Sequence, residues 1–406
     1  MPRSNAPSIP SGPAKAGHYV PVEVPAENDP GGKAELQSWV TPDAVDRTQR
    51  LSEPEAAAVI AVARAERVDA VLAQCLRQID STDVWPPAAR AALVEHLRQH
   101  LVLESMKQRE LVRVLAAFDA AGIEVLLLKG SGLAYTVYAE PHLRPRDDTD
   151  LFLRIGDLDR AADTLAGCGY ARVDEPNAEL ASTQRHYIAR DGAGLQHIVD
   201  LHWRIAIPRV FADAMAFDEI WSRAFAVPSL GVSARTCGVA DALLLACVHR
   251  VAHHRDAPDL LWLWDIHLLA ERVRRDALTI FVAAAARARM CRVCGRGLEL
   301  AHEHFGTEVD DMVTALDRAR SGVEEVSARF VGGLRTIDVL RTDLQTLRWR
   351  GRWRLLREHL LPPAEHMRAR YGADAFLPLA YIRRIVRGAP PWFKRPRSKK
   401  TYAGRG

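Results

Sequence analysis

The sequence lacks any apolar run near the ~18 consecutive residues that a membrane-spanning helix needs, and its Pro-rich first 33 residues do not have the apolar segment of a secretory signal. Cysteines are few, six among 406 residues, and they are scattered rather than arranged as a disulfide framework. These absences exclude a membrane-spanning helix and disfavour secretion. We therefore expect a soluble, cytoplasmic protein with reduced thiols and no membrane partner.

An excess of one charge is also lacking: 55 Lys and Arg residues face 51 Asp and Glu residues, for a formal net charge of +4. The chain as a whole is therefore not a polycation. Basic residues concentrate at 383–406, where nine Lys or Arg residues and no Asp or Glu residues are interleaved with aromatic ones. Such a tail can follow the phosphate backbone of a nucleic acid. A disordered solubilising tail is the alternative, and both stay open.

Zinc-binding patterns are incomplete. His249 and His253 have i, i+4 spacing, but no HExxH motif is present. Cys291 and Cys294 form a C-x-x-C spacing inside a helical pattern, without the turn of a zinc knuckle. We therefore favour packing, or a helix face that lines a cleft, over a zinc site. Asp265, which follows two tryptophans, is predicted to be a solvated or capping acid.

Hydrophobic periodicity predicts an α+β fold: a small mixed-sheet domain flanked by N-terminal helices and by a helical C-terminal domain. Residues 1–47, which we call the leader, are too polar and Pro-rich to fold by themselves. The predicted segments are a disordered leader at 1–47, N-terminal helices at 48–121, the α/β domain at 122–236, the helical domain at 237–382 and the basic tail at 383–406. Within the α/β domain, strands are predicted at Ile123–Leu128, Thr149–Leu153, Arg185–Ala189 and His197–Trp203, with helices at Gly132–Tyr138 and Leu158–Ala166.

A candidate phosphate site follows the first of these strands. The chain runs from the strand directly into Lys129-Gly130-Ser131, and a helix follows. Such a turn directs backbone N–H groups and a helix N-terminus at one place, which suits a phosphate. Lys129 and the Ser131 hydroxyl could add a positive charge and a donor. The alternatives are a helix N-terminus capped by Ser131 and a solvated lysine at a strand end.

A candidate metal site follows at the head of the next strand, where Asp148 and Asp150 stand at i and i+2 and so share one face. Two neighbouring carboxylates repel each other unless a cation lies between them. Mg²⁺, with Mn²⁺ as the alternative, is bound in this way together with nucleotide phosphates. Asp200 in the later strand HIVDLHW could supply a third carboxylate. A surface acidic turn and a charge at a strand edge are the alternative interpretations.

Two further residues are candidates for the same site. Arg144 precedes a proline, and either clamps a phosphate or supports the acidic cluster; the second interpretation is favoured. His202 lies two residues after Asp200 and shares its face. We predict that His202 lies beside the metal ligands or in the acceptor site. The alternative is a structural histidine whose hydrogen bonds are formed within the fold.

The Gly-Ser turn after a strand, the Asp-x-Asp on the next strand and the later Asp together resemble the DNA polymerase β-like nucleotidyltransferase superfamily. The longer strings LKG, LRPRDDTDLFL, VDLHW and HRVAHHRDAPDLLWLWDIHLL resemble the uncharacterised bacterial nucleotidyltransferase family. The resemblance covers roughly residues 90–390 in outline, and its specific motifs lie within 126–204.

The resemblance implies roles for five residues. Gly130 and Ser131 would hold the triphosphate, Asp148 and Asp150 would bind two metal ions, and Asp200 would help to bind one of them and activate the acceptor. The implied reaction transfers a nucleoside monophosphate from a nucleoside triphosphate such as ATP to a hydroxyl or amine, with release of pyrophosphate. The acceptor stays open among a small molecule, a peptide or protein, and RNA.

Two features depart from the family pattern. Ser131 and Asp148 stand 17 positions apart, so the intervening segment must loop back to the sheet, and Asp147 adds a further acid. The rival hypothesis is a non-catalytic nucleotide- or partner-binding scaffold, and a third is an antitoxin-like nucleotidyltransferase that modifies a protein. The complete acid set favours an enzyme because buried like charges are costly without a role, and the additional helical regions disfavour a compact antitoxin.

Overall fold

The computed structural model describes residues 36–37, 39–40, 50–78, 84–173, 180, 182–320, 322, 324–372 and 374–393. The described chain has an α+β fold, as predicted, with a mixed sheet of seven strands. Most of the predicted leader lies outside the described residues, as does the predicted basic tail beyond residue 393. Within the leader, however, Leu36, Trp39 and Val40 are buried, and the Trp39 ring packs edge-on against Trp85 at 5.3 Å. This part of the predicted leader therefore joins the core.

The N-terminal helices are α1 (Glu53–Ala65), α2 (Asp69–Gln78) and α3 (Pro87–Ala120). A capping box begins α1, because Glu55 N–H donates to the Ser52 hydroxyl while Ser52 N–H donates to the Glu55 carboxylate. The helical pattern that precedes residue 78 is divided into two helices, since Arg67 has a φ of 62° in the left-handed region.

The sheet is built from short strands and the helices between them. In chain order these are β1 (Leu126–Leu127), α4 (Lys129–Thr136), β2 (Thr149–Phe152), α5 (Leu158–Gly167), β3 (Ala171–Arg172), β4 (Gln184–Arg190), β5 (Gln196–His202), α6 (Arg209–Ala212), α7 (Phe217–Ser222), β6 (Phe225–Ala226) and β7 (Arg235–Thr236). The strand order is β3-β4-β5-β2-β1-β7-β6. At its centre, β2 pairs parallel with β5 and antiparallel with β1. The predicted strands correspond to β1, β2, β4 and β5, with β1 shorter than expected.

The two faces of the sheet are covered by different helices. Leu127, Leu151 and Leu201 point to one face and pack against the C-terminal half of α3 and against α5. Leu126 and Phe152, which alternate with them, belong to the larger core shared with the N-terminal and C-terminal helices. Each fully buried leucine contributes about 2 kcal/mol of transfer free energy. The even-numbered positions of β2, including Asp150, therefore face the larger helical region.

The helical region after the sheet comprises α8 (Val239–His254), α9 (Leu260–Ala270), α10 (Arg275–Arg287), α11 (Cys291–Phe305), α12 (Asp310–Ala319), α13 (Thr336–Thr346), α14 (Trp349–Leu360), α15 (Ala364–Tyr371) and α16 (Leu377–Phe393). The last of these crosses the predicted boundary at residue 383, so the first part of the predicted basic tail is helical. None of the helices in the described part of the chain combines the length and apolarity needed to cross a membrane.

Candidate active site

The register of two parallel strands brings the predicted acids together. Asp150 of β2 pairs with Asp200 of β5, and Phe152 pairs with His202. Paired residues on neighbouring strands share a face at about 4.8 Å. Asp150, Asp200 and His202 each offer a ligand atom, and these atoms all lie within 4.8 Å of one another. Among the described residues, this is the only group of three or more acids, histidines or cysteines close enough to share a metal ion.

Asp150 accepts two short hydrogen bonds at one carboxylate oxygen. Its Oδ1 accepts hydrogen bonds from Lys129 Nζ at 2.7 Å and from His202 Nε2 at 2.6 Å, and its side chain is 5% exposed. Burial alone would raise the pKa of Asp150, but the Lys129 ammonium and the His202 hydrogen bond outweigh burial and hold this pKa well below its usual range. Asp150 is therefore ionised, and two donors balance its charge.

Asp148 has the opposite electrostatic balance. Burial and the neighbouring charges of Asp150 and Asp200 raise the pKa of Asp148 to about 7, although Lys129 opposes the rise. The structure thus places Asp148 within electrostatic reach of the other two acids. The group of side chains close enough to share a metal ion nevertheless contains His202 rather than Asp148. The sequence predicts Asp148 as a ligand and His202 beside the ligands.

Asp200 is held by two side chains of the adjacent strand β4. His186 Nδ1 donates to Asp200 Oδ1 at 2.6 Å, and Gln184 Nε2 donates to Asp200 Oδ2 at 3.0 Å. The antiparallel register places His186 directly opposite Asp200. Neither residue was identified from the sequence. The available signal was their i, i+2 spacing, which puts both on one face of a strand, but Gln184 lies just before the predicted strand Arg185–Ala189.

The predicted phosphate turn lies at the junction of β1 and α4. Lys129 has a φ of 50°, a left-handed conformation that costs a non-glycine residue of the order of 1 kcal/mol, and its ammonium contacts Asp150. The Ser131 Oγ accepts a hydrogen bond from the Asp150 N–H at 3.2 Å. Ser131 therefore links the turn to β2. The first N–H groups of a helix have no partner within it.

Two glycines allow this turn to lie close to its neighbours. A Cβ on Gly130 would lie 3.4 Å from the Arg144 guanidinium, and a Cβ on Gly132 would lie 2.2 Å from Thr236 Oγ1. The Thr236 hydroxyl in turn donates to the Leu127 carbonyl at 2.8 Å. The contact at Gly132 is too short for any side chain, so this position requires glycine to keep α4 against β7.

Arg144 supports the turn through a buried ion pair. Its Nε and Nη2 each donate to the Asp265 carboxylate at 2.7 Å, and its Nη1 donates to the Pro145 carbonyl. Tyr138 Oη donates to the same carboxylate at 2.7 Å. Asp265 is therefore buried and triply bonded, and the expectation of a solvated or capping acid was wrong. Its signal in the sequence was its position on an otherwise apolar helix, α9.

The histidines of α8 lie close to the same centre. The His254 ring stacks on Trp262 with centroids 3.5 Å apart, and the His249 and His253 rings are 5.0 Å apart. Burial, and next the nearby Lys129 charge, lower the pKa of His249 and of His253 well below the usual range. These two imidazoles are therefore neutral. They belong to no group of three metal-binding side chains among the described residues.

The family described as uncharacterised nucleotidyltransferase matches residues 52–306, more than half of the chain. The chain belongs to this family. The match includes every predicted site residue of this family member, from Lys129 to His202, and also Asp265. It does not extend to α12 or to the helices that follow.

Two solved structures are similar to part of the chain. One is an antigenic nucleotidyltransferase-like protein from Paracoccidioides brasiliensis, with 12% identity, coverage of 53% of this chain and 93% of that chain, and a TM-score of 0.32. The other is JHP933 from Helicobacter pylori, with 12% identity, coverage of 56% and 92%, and a TM-score of 0.29. The comparison with curated proteins finds no match.

Proposed function

We propose that the protein transfers a nucleoside monophosphate from a nucleoside triphosphate to a hydroxyl or amine acceptor, with release of pyrophosphate and with dependence on a divalent metal ion. The observation that carries this proposal is the convergence of Asp150, Asp200 and His202 within 4.8 Å, next to a strand–turn–helix junction. We further propose that the centre is of the DNA polymerase β-like kind. The six cysteines are free thiols, which supports a reducing compartment such as the cytoplasm.

The donor set fits a hard cation. Asp150 and Asp200 supply carboxylate oxygens, which suit Mg²⁺ and Mn²⁺, and the His202 nitrogen is acceptable to Mn²⁺. Asp148 has a pKa of about 7, so a nearby cation would displace its proton and make it a further ligand. A bound Mg²⁺ would neutralise phosphate charge and stabilise the attacking and leaving oxygens of the transfer.

The remaining steps can be assigned to residues of the chain. The N–H groups at the start of α4 and the Lys129 ammonium would bind the triphosphate. Asp200 would take the proton of the acceptor hydroxyl as its oxygen forms a bond to the α-phosphorus and the bond to pyrophosphate breaks. His186 and Gln184, which hold both Asp200 oxygens, would keep that carboxylate oriented.

The wall formed by α8 and α9 is the proposed location of the acceptor. His249 and His253 are neutral, and each has a ring nitrogen that is buried and lacks a hydrogen-bond partner among the described residues. His254 and Trp262 add a stacked aromatic surface. Polar nitrogens without partners favour an acceptor that can hydrogen-bond to them.

Calorimetric titration with ATP, GTP, CTP and UTP in the presence of Mg²⁺ tests this proposal. We expect one or more triphosphates to bind the wild type in a Mg²⁺-dependent manner, and we expect this Mg²⁺-dependent binding to be lost in the Asp148→Ala/Asp150→Ala variant. Asp147→Ala is the matched control, because this neighbouring acid is exposed and, among the described residues, pairs only with Arg67. Its Mg²⁺-dependent binding should match that of the wild type. If a folded wild type binds no triphosphate, the scaffold hypothesis replaces this proposal.

A further inference from the structure

A concave site lies beside the carboxylate centre formed by Asp148, Asp150 and Asp200. It is a cleft of about 280 Å³ between the N-terminal helices and the loop that leads into β2. Its walls come from the end of α1, the start of α2, the middle of α3 and residues 142–147. None of Asp148, Asp150 and Asp200 lines it. The cleft is therefore separate from the proposed metal centre, although Asp147 in its wall directly precedes Asp148.

Positive charge predominates in this cleft. Its lining includes five Lys or Arg residues against three Asp or Glu residues, together with three histidines. Two of the five cations already have a buried carboxylate partner, because Arg144 is paired with Asp265 and Arg146 is paired with Glu104. Within the described part of the chain, Arg67 is paired only with the exposed Asp147, an interaction worth less than about 1 kcal/mol. A net positive charge therefore remains exposed to a ligand.

Two of the cations have no carboxylate partner. Arg64 and Lys107 form no ion pair with any residue that the structure describes. Burial and the adjacent Arg146 guanidinium lower the pKa of Lys107, and the nearby acids only partly oppose this. One Lys107 donor is used by the Arg146 carbonyl, which leaves two of its three donors available. An anion beside Lys107 would relieve this unfavourable charge.

The imidazoles of the cleft suit the same kind of ligand. His96 has a buried Nδ1 that lacks a hydrogen-bond partner among the described residues, and His100 Nε2 hydrogen-bonds to Asp69 at 3.1 Å. Burial would raise the pKa of Asp69, but this bond and the neighbouring imidazoles lower it below the usual value. Asp69 therefore stays ionised and keeps the His100 ring in place beside the cations.

We propose that this cleft, which we call the α1–α3 cleft, binds a small phosphate-bearing molecule through Arg64, Arg67 and Lys107. Phosphoryl oxygens match both the bidentate guanidinium and the point charge of an ammonium. A small ligand is favoured over a nucleic acid strand because the cations converge on a concave volume of about 280 Å³ rather than follow an extended track. This binding does not depend on nucleotidyl transfer.

Pyrophosphate is the probe, and calorimetry at low ionic strength with EDTA is the measurement. EDTA removes divalent metals, so that anion binding at the carboxylate centre is suppressed. The variants are Arg64→Ala, which changes an exposed side chain and should fold normally, and Lys107→Met, which keeps an apolar stem of similar length. Arg318→Ala on α12 is the matched control, because Arg318 is also an exposed helical arginine. The Asp148→Asn/Asp150→Asn variant reports on the metal centre.

We expect the wild type, the control and the Asp148→Asn/Asp150→Asn variant to bind one pyrophosphate with similar affinity. Each cleft substitution should weaken binding at least about tenfold, which is the effect of losing one charged hydrogen bond. The proposal is overturned if the wild type does not bind at millimolar pyrophosphate, or if Arg64→Ala binds like the wild type. It is also overturned if a single-stranded oligonucleotide binds more tightly than pyrophosphate with the same dependence on Arg64 and Lys107.

Discussion

His202 Nε2 donates a hydrogen bond to Asp150 Oδ1 across 2.6 Å, and both residues are almost completely buried. Since Asp150 also pairs with the Lys129 ammonium, positive charge and hydrogen-bond donors already surround this carboxylate. In the proposed enzyme, a divalent cation would take over part of that role. We propose that the carboxylate centre accepts a cation, because its acids cannot all be ionised without compensating charge.

Replacing Lys129 tests this compensation. Lys129→Met leaves the Asp150 carboxylate without its main ion pair, and we expect a loss of stability of about 3 kcal/mol in EDTA, as for a broken buried pair. Mg²⁺ should restore part of the loss if it binds the same acids. Urea unfolding with and without Mg²⁺ measures both effects. The double variant Lys129→Met/Asp150→Asn removes both charges and should be more stable than the single variant; equal stability of the wild type and Lys129→Met would contradict this account.

The buried pair of Arg144 and Asp265 is expected to be structural. Asp265→Ala leaves a buried guanidinium and the Tyr138 hydroxyl without their acceptor, so we expect a loss of about 3–5 kcal/mol. Asp147→Ala breaks an exposed ion pair with Arg67 and should cost less than about 1 kcal/mol. Urea midpoints of the two variants provide the comparison. Similar losses for both would show that the Arg144 pair is not a supporting element of the turn.

The close contact at Gly132 predicts a steric effect. A Cβ there would lie 2.2 Å from Thr236 Oγ1 and 3.1 Å from the Leu127 carbonyl, so Gly132→Ala should destabilise the protein by about 1–3 kcal/mol. Gly167→Ala is the control, since a Cβ at this exposed end of α5 meets no atom within 4 Å. Thermal unfolding of both variants measures the difference. If Gly132→Ala unfolds at the wild-type temperature, the contact between α4 and β7 is looser than described.

Asp343 gives a pH-dependent prediction outside the carboxylate centre. Burial raises the pKa of Asp343 to about 6, above the 3.8 of an unperturbed aspartate. The folded state therefore binds more protons than the unfolded state between these values, and the free energy of unfolding falls as the pH rises through this window. The difference of about two pH units corresponds to a loss of up to about 3 kcal/mol by pH 7.

Asp343→Asn should remove this pH dependence, because an amide oxygen can still accept the hydrogen bond from Arg209 N–H. The variant should match the wild type near pH 4 and exceed its stability at pH 7, as measured by urea unfolding at both pH values. Asp317→Asn, on an exposed acid of α12, should show no such pattern. A variant that is less stable than the wild type at pH 7 would refute the prediction.

The sequence contained enough information for the α+β fold and for naming the side chains that converge in the candidate site, Asp150, Asp200 and His202. Alternation in β2 and the apolar run before Lys129 predict the two strands, because these patterns are local. The convergence of Asp150 and Asp200 depends on the register between β2 and β5, which residue spacing does not specify. The resemblance to a known family supplied that relationship.

Other features required the tertiary structure. Strand β7 has two residues, Arg235 and Thr236, too few for a periodic pattern. Asp265 looked like a solvated acid because its partner, Arg144, is 121 positions away. The role of Gln184 and His186 depends on which strand lies beside β5. Residue spacing in a single sequence does not specify which distant residues pair in this way.

The most direct test of the central claim is Mn²⁺ binding measured by electron paramagnetic resonance at pH 8, above the pKa of about 7 of Asp148. Free Mn²⁺ gives the signal, so its loss on addition of protein counts bound ions. We predict that wild-type protein binds Mn²⁺, more tightly when a nucleoside triphosphate is present, and that Asp150→Asn weakens binding at least tenfold while Asp147→Ala does not. Equal binding by the wild type and Asp150→Asn, or no binding by a folded wild type, would contradict the claim that Asp150, Asp200 and His202 form a metal centre.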